Sequence, residues 1–238
     1  MSLNDSEVVR EQYATEVGLA ARKSIYTDVT GHDAREIALQ AIADAAPRRV
    51  LEVGCGEGEL AARMQQELGV ELVAIDQSER MVEIACGRGV DARLGDVHDL
   101  SFGDASFDVV VAAWMLYHAT DLDRAIAELA RVVSPGGRLV AVTNASDHLR
   151  ELLELVGLPD FEMDFRAENG AELLARRFSH VETIEAYGTV TFRDTAKIRS
   201  YLGSSARLAP GLNRTPAELA EPLVVRRRPV VFVAERAA

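Results

Sequence analysis

Val50-Leu51-Glu52-Val53-Gly54-Cys55-Gly56-Glu57-Gly58-Glu59-Leu60, VLEVGCGEGEL over residues 50–60, is the stretch around which the chain is organised. Val50, Leu51 and Val53 form a short apolar run, the pattern of a strand buried on both faces. Glycines follow at alternate positions, and from Glu59 the composition and spacing turn helical. A buried strand therefore enters a tight glycine turn and leaves as a helix. Glycine allows positive φ and removes the Cβ, so a ligand can lie against the backbone. The first amides of the helix lack intrahelical partners and point at that ligand. On physical grounds this is a nucleotide-cofactor loop.

The dinucleotide fingerprint is G-x-G-x-x-G. Here the spacing is G-x-G-x-G, with an acid, Glu52, two residues before Gly54. The stretch resembles motif I, E/D-x-G-x-G-x-G, of the class I S-adenosylmethionine (SAM)-dependent methyltransferases, in particular the type 11/25-like, UbiE-like group that acts on small molecules. Further stretches resemble that family in order. Asp76 ends a second strand, Val70–Ile75, about 20 residues beyond the loop, where an acid accepts hydrogen bonds from ribose hydroxyls in NAD and SAM proteins alike. Gln77 then sits beside the adenosine. After a third strand, Val90–Leu94, Asp96 and Val97 match the residues that the family aims at the adenine amine and ring. Leu100 to Asp108, LSFGDASFD, resembles the L-P-F-x-D-x-S-F-D turn with Ser101 in place of proline, and Val133 to Val140 resembles L-x-P-G-G-x-L.

The resemblance runs from about residue 48 to 144 and implies a Rossmann-like α/β fold. That fold has a seven-stranded, mostly parallel sheet, helices on both faces, and an antiparallel last strand inserted between the fifth and sixth. The reading is of one domain over residues 1–238, with a helical cover (1–46), a SAM-binding core (47–145) and a C-terminal part (146–238). In the last part, segments 157–169 and 188–222 are insertions at the sheet's edge that either cover a substrate or serve ordinary packing. Fourth, fifth, sixth and final strands are predicted at Val109–Ala113, Leu139–Thr143, 181–187 and Pro229–Ala234. Helices are predicted over 32–45, 58–69, 79–87, 122–132, 146–156, 170–178 and 195–202.

The fourth strand ends at the crevice from which a methyl group must emerge. Backbone near Ala113 faces the methionine part of the cofactor. Tyr117 and His118 are candidates for groups near the acceptor, His118 as a general base or as a pocket wall. Glu52, Gly54, Cys55 and Gly56 set the loop around the methionine portion. Residues 4–24 read as an amphipathic helix whose Tyr13 would lie over the cofactor if the helix closes on it; ordinary packing is the alternative for Tyr13 and Tyr26.

Composition bounds the rest. With 238 residues and 48% of them hydrophobic, the chain can bury a large core. A formal net charge of −12 disfavours a general nucleic-acid binder. Arg226-Arg227-Arg228 is the one basic run and reads as the solvated start of a strand rather than a phosphate site. No apolar run nears the ~18 residues of a membrane span, and the N-terminus lacks a signal pattern, so a cytoplasmic protein is expected. Two cysteines form no disulfide framework. No metal cluster is expected, since Asp104 and Asp108 lack His or Cys companions.

SAM carries an electrophilic methyl group, so transfer needs alignment and a place for a proton rather than a catalytic triad. The partner expected is a small organic acceptor, methylated at O, N or C. The alternatives are an NAD(P)-dependent Rossmann oxidoreductase, disfavoured by the glycine spacing and the lack of a Y-x-x-x-K pair, and a SAM-binding protein without transferase activity.

Overall fold

A computed structural model describes residues 25, 26 and 28–238. The predicted helix over 4–24, with Tyr13, lies outside the described residues. Seven strands make the main sheet: β2 (Arg49–Val53), β3 (Glu71–Asp76), β4 (Ala92–Leu94), β5 (Phe107–Ala113), β6 (Val133–Asn144), β7 (His180–Glu185) and β10 (Pro229–Glu235). Their order is β4-β3-β2-β5-β6-β10-β7, and β10 runs antiparallel to both of its neighbours. This is the expected Rossmann-like α/β arrangement, with the last strand inserted between the fifth and sixth of the sheet.

Both faces of the central strands are buried, which is why they read as continuous apolar runs. Leu51, Val53, Val110, Leu139 and Phe232 face one core with Leu129 and Leu174. Val50, Val109, Val111, Val140 and Val231 face the other with Ile42, Met64 and Ala85. The second core packs under α1 (Ala34–Ala43), α2 (Glu59–Leu68) and α3 (Glu79–Gly87); α4 (Leu122–Val132) and α6 (Gly170–Ala175) cover the first. The helix starts follow capping chemistry: Asp33, Ser78 and Asp121 each accept a hydrogen bond from a first-turn amide.

Strand β6 begins six residues earlier than the predicted Leu139 and runs through Ser134-Pro135-Gly136-Gly137. Phe107 pairs with Val133, and Val109 pairs with Arg138, so four residues of β6 bulge out between those pairs. The proline and glycines sit in that bulge rather than in a turn that precedes the strand.

A second, three-stranded antiparallel sheet was not anticipated. It has the order β1-β8-β9, from β1 (Val29–Gly31), β8 (Gly188–Phe192) and β9 (Leu223–Arg227). It packs over α5 (Arg150–Leu155) and α7 (Thr195–Leu202) around a third core of Leu152, Val156, Val190, Phe192, Ile198 and Val225. Here the sequence expectation for the basic run is corrected. Arg226 is exposed and pairs with Glu151, but Arg227 is a strand residue with only 8% of its surface exposed. Along β9, Val225 and Arg227 point inward while Val224 and Arg226 point out, a period-two pattern with an arginine in a core position. No helix among the described residues is long and apolar enough to cross a membrane.

Candidate active site

The glycine loop leaves β2 with Gly54, Gly56 and Gly58 all at positive φ. A Cβ on Gly54 would stand 2.6 Å from the Met115 Cβ, so this glycine permits close packing of the loop on the β5 connection. A Cβ on Gly56, by contrast, would meet no protein atom within 4 Å. Gly56 faces a cavity of about 470 Å³ at the carboxyl ends of the parallel strands, where ligands bind in open α/β sheets.

Glu52, Gly54, Cys55, Gly56, Ala113, Tyr117 and His118 all line this cavity, so seven of the predicted site residues converge on it. Glu52 is 3% exposed, and its Oε2 is buried with no hydrogen-bond partner. Burial first, and then the nearby Asp76 carboxylate, push the Glu52 carboxyl up to about 8, against the pull of the Ala61 amide. A buried carboxylate oxygen without a donor is costly, and a cationic or N–H-bearing ligand in the cavity would relieve that cost. Cys55 is buried, and its thiol is pushed far up by burial and by Glu52 and Asp76, which removes the thiolate a nucleophile needs.

Asp76 lies just behind the loop. Its Oδ2 accepts from the Gly56 amide at 2.8 Å and its Oδ1 from Ser78 at 2.9 Å. Burial raises its carboxyl, and the amides of Ser78, Gly56 and Gln77 oppose that rise. Gln77 is exposed beside it. Asp96 borders a separate cavity of about 80 Å³ between β3 and the 95–102 loop. Its Oδ1 accepts from the His98 amide at 2.9 Å and contacts His98 Nδ1 at 2.6 Å. Val97 is buried in the first core rather than in a cavity wall. The predicted cofactor residues thus fall into two groups, one lining the main cavity and one flanking it.

Trp114 takes a positive φ of 53°, with its amide bonded to the Val142 carbonyl and its Nε1 to Asn144 Oδ1 at 3.3 Å. This strained turn carries the chain into the short 3-10 helix Leu116–His118, where the Tyr117 and His118 rings meet edge to face at 4.5 Å.

The other wall comes from the second sheet, from His148 just before α5, and from Phe161 and the 203–208 loop, which fall in the segments 157–169 and 188–222 expected to cover a substrate; His148, Arg207 and Arg227 were not singled out for it from the sequence. Tyr26, His148, Phe161, Arg207 and Arg227 all line the cavity. His148 is buried; burial and Arg227 push it down to about 3 despite Asp147, so the ring is neutral. Its Nδ1 accepts from the Arg228 amide at 2.9 Å, which leaves the proton on Nε2, 3.3 Å from the Tyr26 hydroxyl. Among the described residues no group of three or more His, Cys, Asp or Glu side chains is placed to hold a metal ion.

The chain is similar to known methyltransferases. Residues 51–141 match the family described as "Methyltransferase domain". An uncharacterised methyltransferase of Mycobacterium tuberculosis (strain ATCC 25618 / H37Rv) is 39% identical over 119 residues, 48% of each chain. A demethylmenaquinone methyltransferase of Thermus thermophilus is 35% identical over 115 residues, 45% of this chain and 52% of the relative. The chain thus spans about half the length of the curated relatives it matches. Among solved structures, the YcgJ protein of Bacillus subtilis superposes with a TM-score of 0.62 at 18% identity, covering 85% of this chain and 99% of that one. At that identity the likeness is one of fold.

Proposed function

We propose, from the match of residues 51–141 to the methyltransferase-domain family, that the chain transfers a methyl group from SAM to an O, N or C atom of a small organic acceptor. The observation that carries this reading is Glu52 Oε2, buried without a partner beside the open face of Gly56. A carboxylate there suits the ammonium group of the methionine end of SAM, and a glycine without a Cβ leaves room for that end to lie against the loop.

When bound, SAM supplies an electrophilic methyl group on a sulfonium. The chain's own residues then hold and orient. Glu52 takes up the ammonium group. Asp76 keeps the Gly56 amide in place and offers its remaining lone pairs to ribose hydroxyls. Gln77, Asp96 and Val97 flank the adenine. The backbone at Ala113 borders the methionine chain, and Tyr117 with His118 faces the acceptor. His118 accepts a proton from an acceptor hydroxyl or amine at its imidazole nitrogen.

Calorimetric titration with S-adenosylhomocysteine (SAH) and, separately, NADH tests the cofactor assignment. Micromolar binding of SAH alone is expected, and binding of NADH alone would replace this reading with a dehydrogenase. Methyl transfer to a panel of acceptors then separates an enzyme from a protein that only binds SAM.

A further inference from the structure

The main cavity is lined by acidic side chains on one side and by arginines on the other. Glu52, Glu57 and Glu59 stand on the glycine-loop side. On the other side stand Arg207 and Arg227, from the 203–208 loop and β9. Among the described residues neither arginine has a carboxylate partner within salt-bridge distance. The other cavity arginine, Arg35, is neutralised by Asp33 at 3.4 Å. The flanking arginines of the basic run are also paired, Arg226 with Glu151 and Arg228 with Asp147.

Arg227 is buried and held chiefly by backbone carbonyls, with the Asp33 carboxylate, already engaged by Arg35, acting on it at longer range. Its Nη2 donates to Thr30 at 3.0 Å and His32 at 3.4 Å, and its Nε to Thr189 at 3.4 Å. Its guanidinium also lies 5.7 Å from the centre of the Tyr26 ring. These contacts fix the group and leave Nη1 for a ligand. Arg207 stacks 4.9 Å over Phe161 and spends one donor, on the Asp160 carbonyl at 3.2 Å. Burial holds its pKa below the usual arginine value, as expected of a cation drawn out of water, with Glu162 and Tyr201 opposing at longer range. A neutral acceptor gives no reason to place two unpaired guanidinium groups in a cavity wall. An oxyanion does, since the planar fork of arginine matches a carboxylate or phosphate.

We propose that Arg207 and Arg227 bind an oxyanion of the methyl acceptor, a carboxylate or a phosphate ester, and so hold its nucleophile toward Tyr117 and His118. This rests on the reading of the cavity as a methyltransferase site.

The test uses the full chain. SAH is titrated first, and absence of binding removes the underlying reading. The SAH-saturated protein is then titrated with benzoate, phenyl phosphate and the neutral benzamide. One of the two anions is expected to bind at least about tenfold more tightly than benzamide, and which one does so identifies the oxyanion. Arg207→Gln and Arg227→Lys are each expected to erase most of that preference while SAH affinity changes less than about twofold. Arg207, partly buried in a loop rather than in the core, can be replaced without opening it, so the test survives if Arg227→Lys fails to fold. Benzamide binding as tightly as both anions, or no probe binding to the SAH complex, overturns the proposal. So does a loss of SAH affinity in both variants, which would assign the arginines to the cofactor's own carboxylate.

Discussion

The carboxylate of Asp76 and the amide of Gly56 are joined by a 2.8 Å hydrogen bond, so the acid that ends β3 also fixes the glycine loop after β2. Asp76→Ala therefore removes a prospective ribose partner and the clamp on the loop together. A loss of about 1.5–3 kcal/mol in SAH binding is expected, the scale for hydrogen bonds to a charged group. Asp76→Asn keeps an acceptor for one amide and should lose less. Titration calorimetry on both variants checks the order; equal and unchanged affinities would detach Asp76 from the site.

Gly54 and Gly56 should respond differently to alanine. At Gly54 the new Cβ collides with Met115 at 2.6 Å and φ is +70°. Gly54→Ala should lower stability by about 2 kcal/mol or more, read as a drop in the denaturation midpoint. At Gly56 there is space but a positive φ of 52°. Gly56→Ala should cost about 1 kcal/mol in stability while abolishing detectable SAH binding, because its Cβ would stand in the cavity proposed for the cofactor.

Glu52 gives a pH signature. Its folded-state carboxyl is raised from 4.5 to about 8. Between those values the folded chain holds a proton that the unfolded chain has lost, so this group makes stability fall as pH rises through the window. A bound ammonium favours the ionised carboxylate and expels that proton. SAH binding should thus release protons below about pH 8, and binding should tighten as pH approaches that value. Calorimetry in two buffers of different ionisation heat measures the release, and Glu52→Gln should abolish its Glu52 share.

His118→Ala should leave SAH affinity within about twofold. If the imidazole takes the acceptor's proton, turnover falls by about 10²-fold or more, the usual range for general-base catalysis. Unchanged turnover assigns His118 to the pocket wall. Tyr117→Phe, which keeps the ring packed on His118, isolates the part played by the hydroxyl.

Cys55 and Cys86 should separate on alkylation. Cys86 is exposed, whereas Cys55 is buried with its thiol pushed far up. Iodoacetamide near neutral pH should label Cys86 in the native protein and reach Cys55 only after unfolding, as read by peptide mass mapping.

The main sheet was legible because its strands are buried on both faces and write themselves as apolar runs, as in Val109–Ala113. The cofactor side was legible because glycine spacing and strand-end acids are local patterns. The acceptor side was legible only as segments, and its small sheet was not. Val29–Gly31, Gly188–Phe192 and Leu223–Arg227 are short, and they pair across more than 150 residues between β1 and β8. In β9 one of the two inward positions, Arg227, is an arginine, so hydrophobic alternation fails there. Nor could spacing reveal that Glu52 Oε2 lacks a partner, or that Asp96 is engaged by His98, since both depend on packing.

Arg228 alone separates the last residue of β9 from the first of β10. The small sheet is therefore tied to the inserted strand of the large one at this joint, as it is to β7 through Ala186 and Tyr187, and the joint adjoins Arg227, the group proposed for recognition. Modular redesign has to respect that joint. Grafting β1, β8 and α7 from another sequence exchanges one wall of the pocket and leaves the scaffold standing. A graft spliced at Arg228 severs the wall and its mooring together.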